Sequence, residues 1–213
     1  MTKIEIVQKL LDAKVTAIVR GVKSEQMPAV AAALEKGGIQ SVEITFNTPG
    51  AAEMITSLKE AYGDRFLVGA GTVLDTETCR TAILAGADFV LSPTLNTDVI
   101  KMCNRYGKAA VPGVMTPTEI LTAIECGADI VKVFPAGTLS PSYIKDVLGP
   151  IKQVNIMAVG GISLENASDF FKAGCKCLGI GSSLVNNKLC DEGRFDEIER
   201  RAAAFAEKAK QCF

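Results

Sequence analysis

Short apolar runs return every 20 to 26 residues along this chain, each followed by a longer mixed segment whose apolar side chains keep helical spacing. Eight runs recur in this way, at 15–20, 41–46, 66–69, 89–92, 109–112, 130–134, 155–159 and 177–180. Most are built from Val, Ile, Ala and Phe without strict alternation, as in strands covered on both faces, which is the condition of a parallel sheet wrapped by helices. Gly38, Gly86, Gly127 and Gly174 follow helical segments and shortly precede strands, where a left-handed C-cap turns the chain back. Eight βα units without an intervening linker predict an α/β fold of the closed (β/α)8 TIM barrel type rather than an open doubly wound sheet. The 213 residues suit a single domain, 1–213, close to the lower limit of roughly 200 for such a barrel.

Segment 3–13 precedes the first run and is expected to form an extra N-terminal helix closing the bottom of the barrel, with 195–212 as the last outer helix. Thr116-Pro117-Thr118-Glu119 offers a capping box with proline at the first helical position, and 163–166 is expected to begin another helix.

Composition narrows the chemistry. The chain has no histidine, which removes Ser-His-Asp and Cys-His mechanisms together with the usual imidazole metal sites. Proton transfer then falls to Glu, Asp, Lys, Tyr or Cys, each needing a tuned environment near neutral pH. Twenty-three basic and 24 acidic side chains leave a net charge of -1, so no overall field points to nucleic acid or an anionic membrane. A small-molecule ligand is expected. The N-terminus carries Glu5 where a secretory signal would need apolar residues, and no run reaches the length of a membrane span, so a cytoplasmic location is expected. Seven scattered cysteines fit that compartment as free thiols, and Cys175 and Cys177 are read as buried thiols rather than metal ligands.

Two side chains violate the apolar pattern. Lys132 sits amid Asp129-Ile130-Val131-Lys132-Val133-Phe134-Pro135, although lysine is almost never fully buried without a partner. An ion pair or a snorkelling side chain would explain it structurally. The functional explanation is that apolar surroundings disfavour ammonium and leave a neutral amine able to attack a ketone. Glu43 repeats the anomaly in Val42-Glu43-Ile44-Thr45-Phe46, sharing one face with Thr45. The second and sixth runs are both even-numbered, and alternate strands supply the same interior layers, so Glu43 and Lys132 can approach one another. Arg20, Thr72 and Pro93 stand at other strand ends, on the face where barrel enzymes keep their sites. Gly160-Gly161 follows the seventh run and Gly181-Ser182-Ser183 the eighth, the two places where this barrel commonly binds phosphate through backbone amides. Tight turns explain a single glycine pair equally well.

With these residues placed, the whole chain resembles the bacterial 2-keto-3-deoxy-6-phosphogluconate and 4-hydroxy-2-oxoglutarate aldolase family. The motifs that carry the resemblance are Ala17-Ile18-Val19-Arg20-Gly21, Val42-Glu43-Ile44-Thr45, Val68-Gly69-Ala70-Gly71-Thr72-Val73, Ser92-Pro93, Val111-Pro112-Gly113-Val114-Met115-Thr116-Pro117 and Val131-Lys132-Val133-Phe134-Pro135-Ala136. The resemblance implies a class I aldolase with Lys132 as Schiff-base lysine and Glu43 as proton acceptor and donor. It further implies Thr72, Pro93 and Phe134 as substrate contacts, and a phosphate site at Gly160, Gly161, Gly181 and Ser182. A homotrimer without metal or organic cofactor is implied as well. Many members carry arginine four positions after the glutamate, where this chain has Asn47. The substrate contact is therefore assigned to Arg20, which matches a family branch ending its first strand in an Arg-Gly-like turn. Many members also have threonine before the glycine pair, where this chain has Val159. Asparagine and valine at these positions occur in the related 2-keto-3-deoxy-6-phosphogalactonate aldolase, which acts on the C4 epimer.

The expected activity is cleavage of 2-dehydro-3-deoxy-6-phosphogluconate to pyruvate and glyceraldehyde 3-phosphate, with 4-hydroxy-2-oxoglutarate as a second substrate. The phosphogalactonate epimer is the near alternative. A phosphosugar isomerase or epimerase using Glu43 for carbon-acid chemistry, and a non-catalytic phosphate-binding barrel, are the alternatives from other classes; neither forms a covalent adduct.

Overall fold

The computed structural model describes residues 1–212; Phe213, the final residue of the expected domain, lies outside the described residues. Nine strands form one parallel sheet: β1 Val15–Val19, β2 Ser41–Thr45, β3 Leu67–Gly71, β4 Phe89–Leu91, β5 Ala109–Val111, β6 Gly113–Val114, β7 Val131–Val133, β8 Ile156–Val159 and β9 Cys177–Ile180. Their order is β5-β4-β3-β2-β1-β9-β8-β7-β6, so the two ends of the sheet are consecutive in the chain and separated by Pro112 alone. The expected eight staves are therefore present, with the fifth divided in two. Proline has no N–H to give the ladder, yet Pro112 O still accepts from Lys132 N at 2.8 Å, and the barrel closes across the break.

Other boundaries shift by a residue or two. The expected 15–20 strand stops at Val19, which leaves Arg20 on the turn beyond it. The third strand runs on to Gly71 because the small Gly69-Ala70-Gly71 segment pairs fully with β2. The helix expected to begin within 163–166 has Asn166 as its N-cap and Ala167–Lys172 as its body. Elsewhere the caps act as expected: Thr116 accepts from Glu119 N while the Glu119 carboxylate accepts from Thr116 N, around a helix over Pro117–Glu125. Gly38, Gly86, Gly127 and Gly174 all take positive φ at the αβ joints.

Two apolar layers hold the molecule. The larger lies between the barrel and its helices; the smaller fills the barrel with Ile18, Leu67, Phe89, Leu91, Ile130 and Met157 among others. The helix over Lys3–Ala13 contributes Ile6 and Leu10 to the inner layer, both fully buried, and so closes the bottom as expected. Lys3 tethers that helix to the loop entering β7, its Nζ lying 2.7 Å from Asp129 Oδ2 and donating to Asn104 Oδ1 at 2.6 Å. The last outer helix covers Phe195–Lys210.

Candidate active site

Register settles which way the anomalous charges point. Glu43 is paired with Ile18 across the β1–β2 ladder and Lys132 with Met157 across β7–β8. Ile18 and Met157 belong to the inner layer. Residues opposite one another on neighbouring strands share a face, so both charges project into the barrel. Lys132 is 5% exposed and Glu43 1%.

Room for the carboxyl comes from a neighbour without a side chain. A Cβ at Gly71, on the adjoining β3, would overlap Glu43 Oε1 and Cδ. Glu43 Oε2 is buried with no hydrogen-bond partner among the described residues, a costly state for an ionised carboxylate. Burial pushes the Glu43 carboxyl above the ordinary carboxylate range, against the pull of the Lys132 and Arg20 charges. Burial pushes the Lys132 ammonium below the usual lysine value; Glu43 opposes this and Arg20 adds to it. No ion pair involves Lys132 among the described residues, while its Nζ stands 5.0 Å from the centre of the Phe134 ring. The structural ion pair weighed from the sequence is therefore not what holds this lysine in place.

Phe134 connects the lysine to open space. A cleft of about 500 Å³ at the C-terminal end of the strands is lined by Arg20, Phe134, Gly160, Gly161, Gly181 and Ser182, six of the residues expected from the sequence. Gly160 and Gly161 take φ of +89° and +74°, and side chains there would press on Phe134 and on Gly137. The Gly160 carbonyl accepts from Gly137 N at 2.8 Å, which closes the turn. At Gly181 a side chain would meet nothing within 4 Å, so that backbone is open to a ligand. Thr72 and Pro93 do not line this cleft. Thr72 follows Gly71 with φ +57°, an uncommon conformation for a β-branched residue and one that tends to persist where function requires it. Pro93 packs against the backbone of Gly113, the register partner of Lys132. Thr72 is thus joined through the chain to the glycine that makes room for Glu43, and Pro93 is tied by packing to the partner of Lys132.

The structure also adds Asn186 and Asn187, which line the cleft beside Ser182 and Ser183 of the expected turn. Asn186 caps the short helix that follows, its side chain accepting from Leu189 N. The Asn-Asn pair soon after the Gly-Ser-Ser turn was the available sequence signal. A second cavity, about 560 Å³, opens at the opposite end near Lys14, Gln40 and Leu67, away from both buried charges.

The family profile described as KDPG and KHG aldolase matches residues 6–201. Over 197 residues the chain is 36% identical to the 2-dehydro-3-deoxy-6-phosphogalactonate aldolase of Escherichia coli K12, covering 92% of this chain and 94% of that protein. It is equally 36% identical over 197 residues to the 2-dehydro-3-deoxy-phosphogluconate aldolase of Haemophilus influenzae, covering 92% of each. Its fold matches, with a TM-score of 0.88 and 26% identity, the KDPG aldolase of Legionella pneumophila holding pyruvate captured at low pH as a covalent carbinolamine intermediate. That match covers 93% of this chain and 97% of the other. With the profile spanning nearly the whole barrel and its inward charges, the chain belongs to the KDPG and KHG aldolase family and is a carbon–carbon lyase.

Proposed function

We propose that the chain cleaves 2-dehydro-3-deoxy-6-phosphogluconate to pyruvate and glyceraldehyde 3-phosphate through a Schiff base on Lys132. The observation that carries this reading is a lysine amine inside an apolar barrel, without an ion pair among the described residues and with its proton affinity lowered by burial. Such an amine has its lone pair available at a lower pH than an exposed lysine. The Nζ lone pair attacks the C2 ketone to give a carbinolamine, which loses water to an iminium. The C3–C4 bond then breaks with its electron pair moving into the iminium, while the Glu43 carboxylate takes the proton of the C4 hydroxyl. Glyceraldehyde 3-phosphate leaves, Glu43 returns the proton to C3 of the enamine, and water releases pyruvate from the lysine. A carboxyl held above its ordinary range suits a group that must carry a proton for part of the cycle. The carbinolamine in the Legionella pneumophila relative supports this reading.

In this reading Arg20 and Thr72 hold the keto-acid part, with Pro93 and Phe134 beside them. The turns at Gly160, Gly161, Gly181 and Ser182 take the phosphate, and no metal or organic cofactor takes part. 4-Hydroxy-2-oxoglutarate is the second substrate, since only the aldehyde half differs. A second reading, the phosphogalactonate epimer, is favoured by Asn47, by Val159 beside the cleft and by the Escherichia coli relative. The assembly proposed is the homotrimer that the resemblance implies, to be measured by light scattering, and the compartment is the cytoplasm. The seven cysteines are free thiols, and no helix among the described residues is long and apolar enough to cross a membrane.

Borohydride in the presence of pyruvate is expected to attach one pyruvate to Lys132, located by peptide mass, and Lys132→Ala to abolish the adduct. Full trapping in that variant overturns the assignment. Turnover of the two phosphorylated epimers and of 4-hydroxy-2-oxoglutarate separates the substrate readings.

A further inference from the structure

Arg20 stands on an exposed turn immediately after β1, and its guanidinium makes no hydrogen bond or ion pair among the described residues. A long side chain placed there loses rotamer freedom when it grips an anion, so the rigidity of its backbone bears directly on affinity. One buried relay holds that backbone on both sides. Gly21 N donates to Thr48 Oγ1 at 2.8 Å, the Thr48 and Thr45 hydroxyls lie 3.0 Å apart, and Thr45 Oγ1 donates to Val19 O at 3.3 Å. Each hydroxyl has a single proton. Thr45 directs its proton to Val19, so Thr48 must donate to Thr45, and the oxygen of Thr48 receives the Gly21 amide. The relay has one direction and every donor in it is used.

Both hydroxyl residues are buried, Thr45 at 0% and Thr48 at 3% exposure, and Thr48 N donates to Thr45 O at 2.9 Å to close the turn between them. Thr45 is the last residue of β2, the strand that carries Glu43. The carbonyl before Arg20 is therefore bound to the end of the strand that supplies the proposed proton carrier, and the amide after it to the turn that leaves that strand. From the other side, the amide end of the Asn187 side chain reaches to 2.8 Å from where a Cβ at Gly21 would stand, and Gly21 takes φ +69°, a conformation that other side chains strain.

We propose that Thr48 is a positioning residue for substrate binding, fixing the Arg20 backbone relative to Glu43 and Lys132 through the Gly21–Thr48–Thr45–Val19 relay. This rests on the reading of Arg20 as a substrate contact. Thr48 itself does not line the cleft, so its influence should show in the grip on substrate and only in the presence of Arg20.

The test is a double-mutant cycle with Thr48→Val and Arg20→Gln, using the phosphorylated keto-acid as substrate. Thr48→Val is expected to raise KM roughly fivefold, the worth of about one neutral hydrogen bond, while kcat changes by no more than about twofold, as for loss of uniform binding. Thr48→Ser, which keeps the hydroxyl, should restore KM, and Thr48→Val should add nothing to Arg20→Gln. If the valine variant does not fold, Thr48→Ala is read in the same cycle. An unchanged KM, or the same rise with and without Arg20, overturns the relay and leaves a purely structural turn. Arg20→Gln with unaltered KM overturns it at its premise. Borohydride trapping of the unmodified protein with pyruvate keeps the outcomes apart: absence of trapping sinks the Schiff-base reading, whereas trapping with an additive cycle sinks only the relay.

Discussion

Burial lowers the proton affinity of Lys132 most, the carboxylate of Glu43 pulls it back up, and Arg20 lowers it again. Because the neutral amine is the attacking form, the rate of borohydride trapping with pyruvate should rise with pH through the depressed Lys132 value, below the roughly 10.4 of an exposed lysine. The two neighbours have opposite signs and predict opposite displacements. Glu43→Gln removes the group that favours ammonium, so the trapping curve moves to lower pH. Arg20→Gln removes a group that disfavours it, so the curve moves to higher pH. Displacement of both variants in the same direction would show that these charges do not set the amine's protonation. Lys132 and Glu43 were legible in the sequence because a charge inside an apolar run is costly enough to require a reason. Thr48 was not, because a hydroxyl is tolerated buried or exposed and its role depends on a contact 27 residues away in sequence. Thr72 was noticed for its place after a strand; its positive φ could not be foreseen, since threonine ordinarily disfavours that conformation.

Within the elements, the positions that lack side chains shape the site as much as those that have them. Gly69 and Gly71 lie on β3, where added Cβ atoms would overlap the Phe89 ring and the Glu43 carboxyl respectively. Gly71→Ala leaves Lys132 untouched but evicts the Glu43 carboxyl from its position. The variant is expected to be trapped by borohydride with pyruvate, yet to turn over substrate at least about 100-fold more slowly, the lower range for loss of a general base. Turnover within tenfold of the parent would show that Glu43 works from another rotamer or that another group carries the proton. Glycines of this kind are hard to interpret in advance: in a strand they read as weak β-formers or as the start of a loop, which is why the third strand was expected to end at 69. The division of the fifth stave had a similar origin. Its apolar run 109–112 identified the strand, but only the pairing of Gly113 and Val114 with β7 shows that the chain resumes the sheet beyond Pro112.

Across the whole molecule, the repeat of apolar runs was enough to foresee the barrel because both layers of its core depend on that repeat. The same architecture separates stability from chemistry. The C-terminal end of the strands holds the cleft and the inward charges, while the other end is closed by the Lys3–Ala13 helix through Ile6 and Leu10. Leu10 is fully buried and does not line the cleft. Leu10→Ala therefore removes inner-layer volume and is expected to cost about 3 kcal/mol, which in a chain of this size lowers Tm on the order of 10 °C. At a temperature well below that transition, KM for the keto-acid and the pH course of trapping should stay as in the parent protein, since Leu10 does not line the cleft and carries no charge to act on Lys132. Calorimetry and kinetics on the same preparation decide the matter. A Leu10→Ala variant with parental Tm would mean that the helix does not plug the barrel. One with a displaced trapping curve would mean that packing at the closed end reaches the amine through the inner layer, and that the two ends of the barrel are coupled.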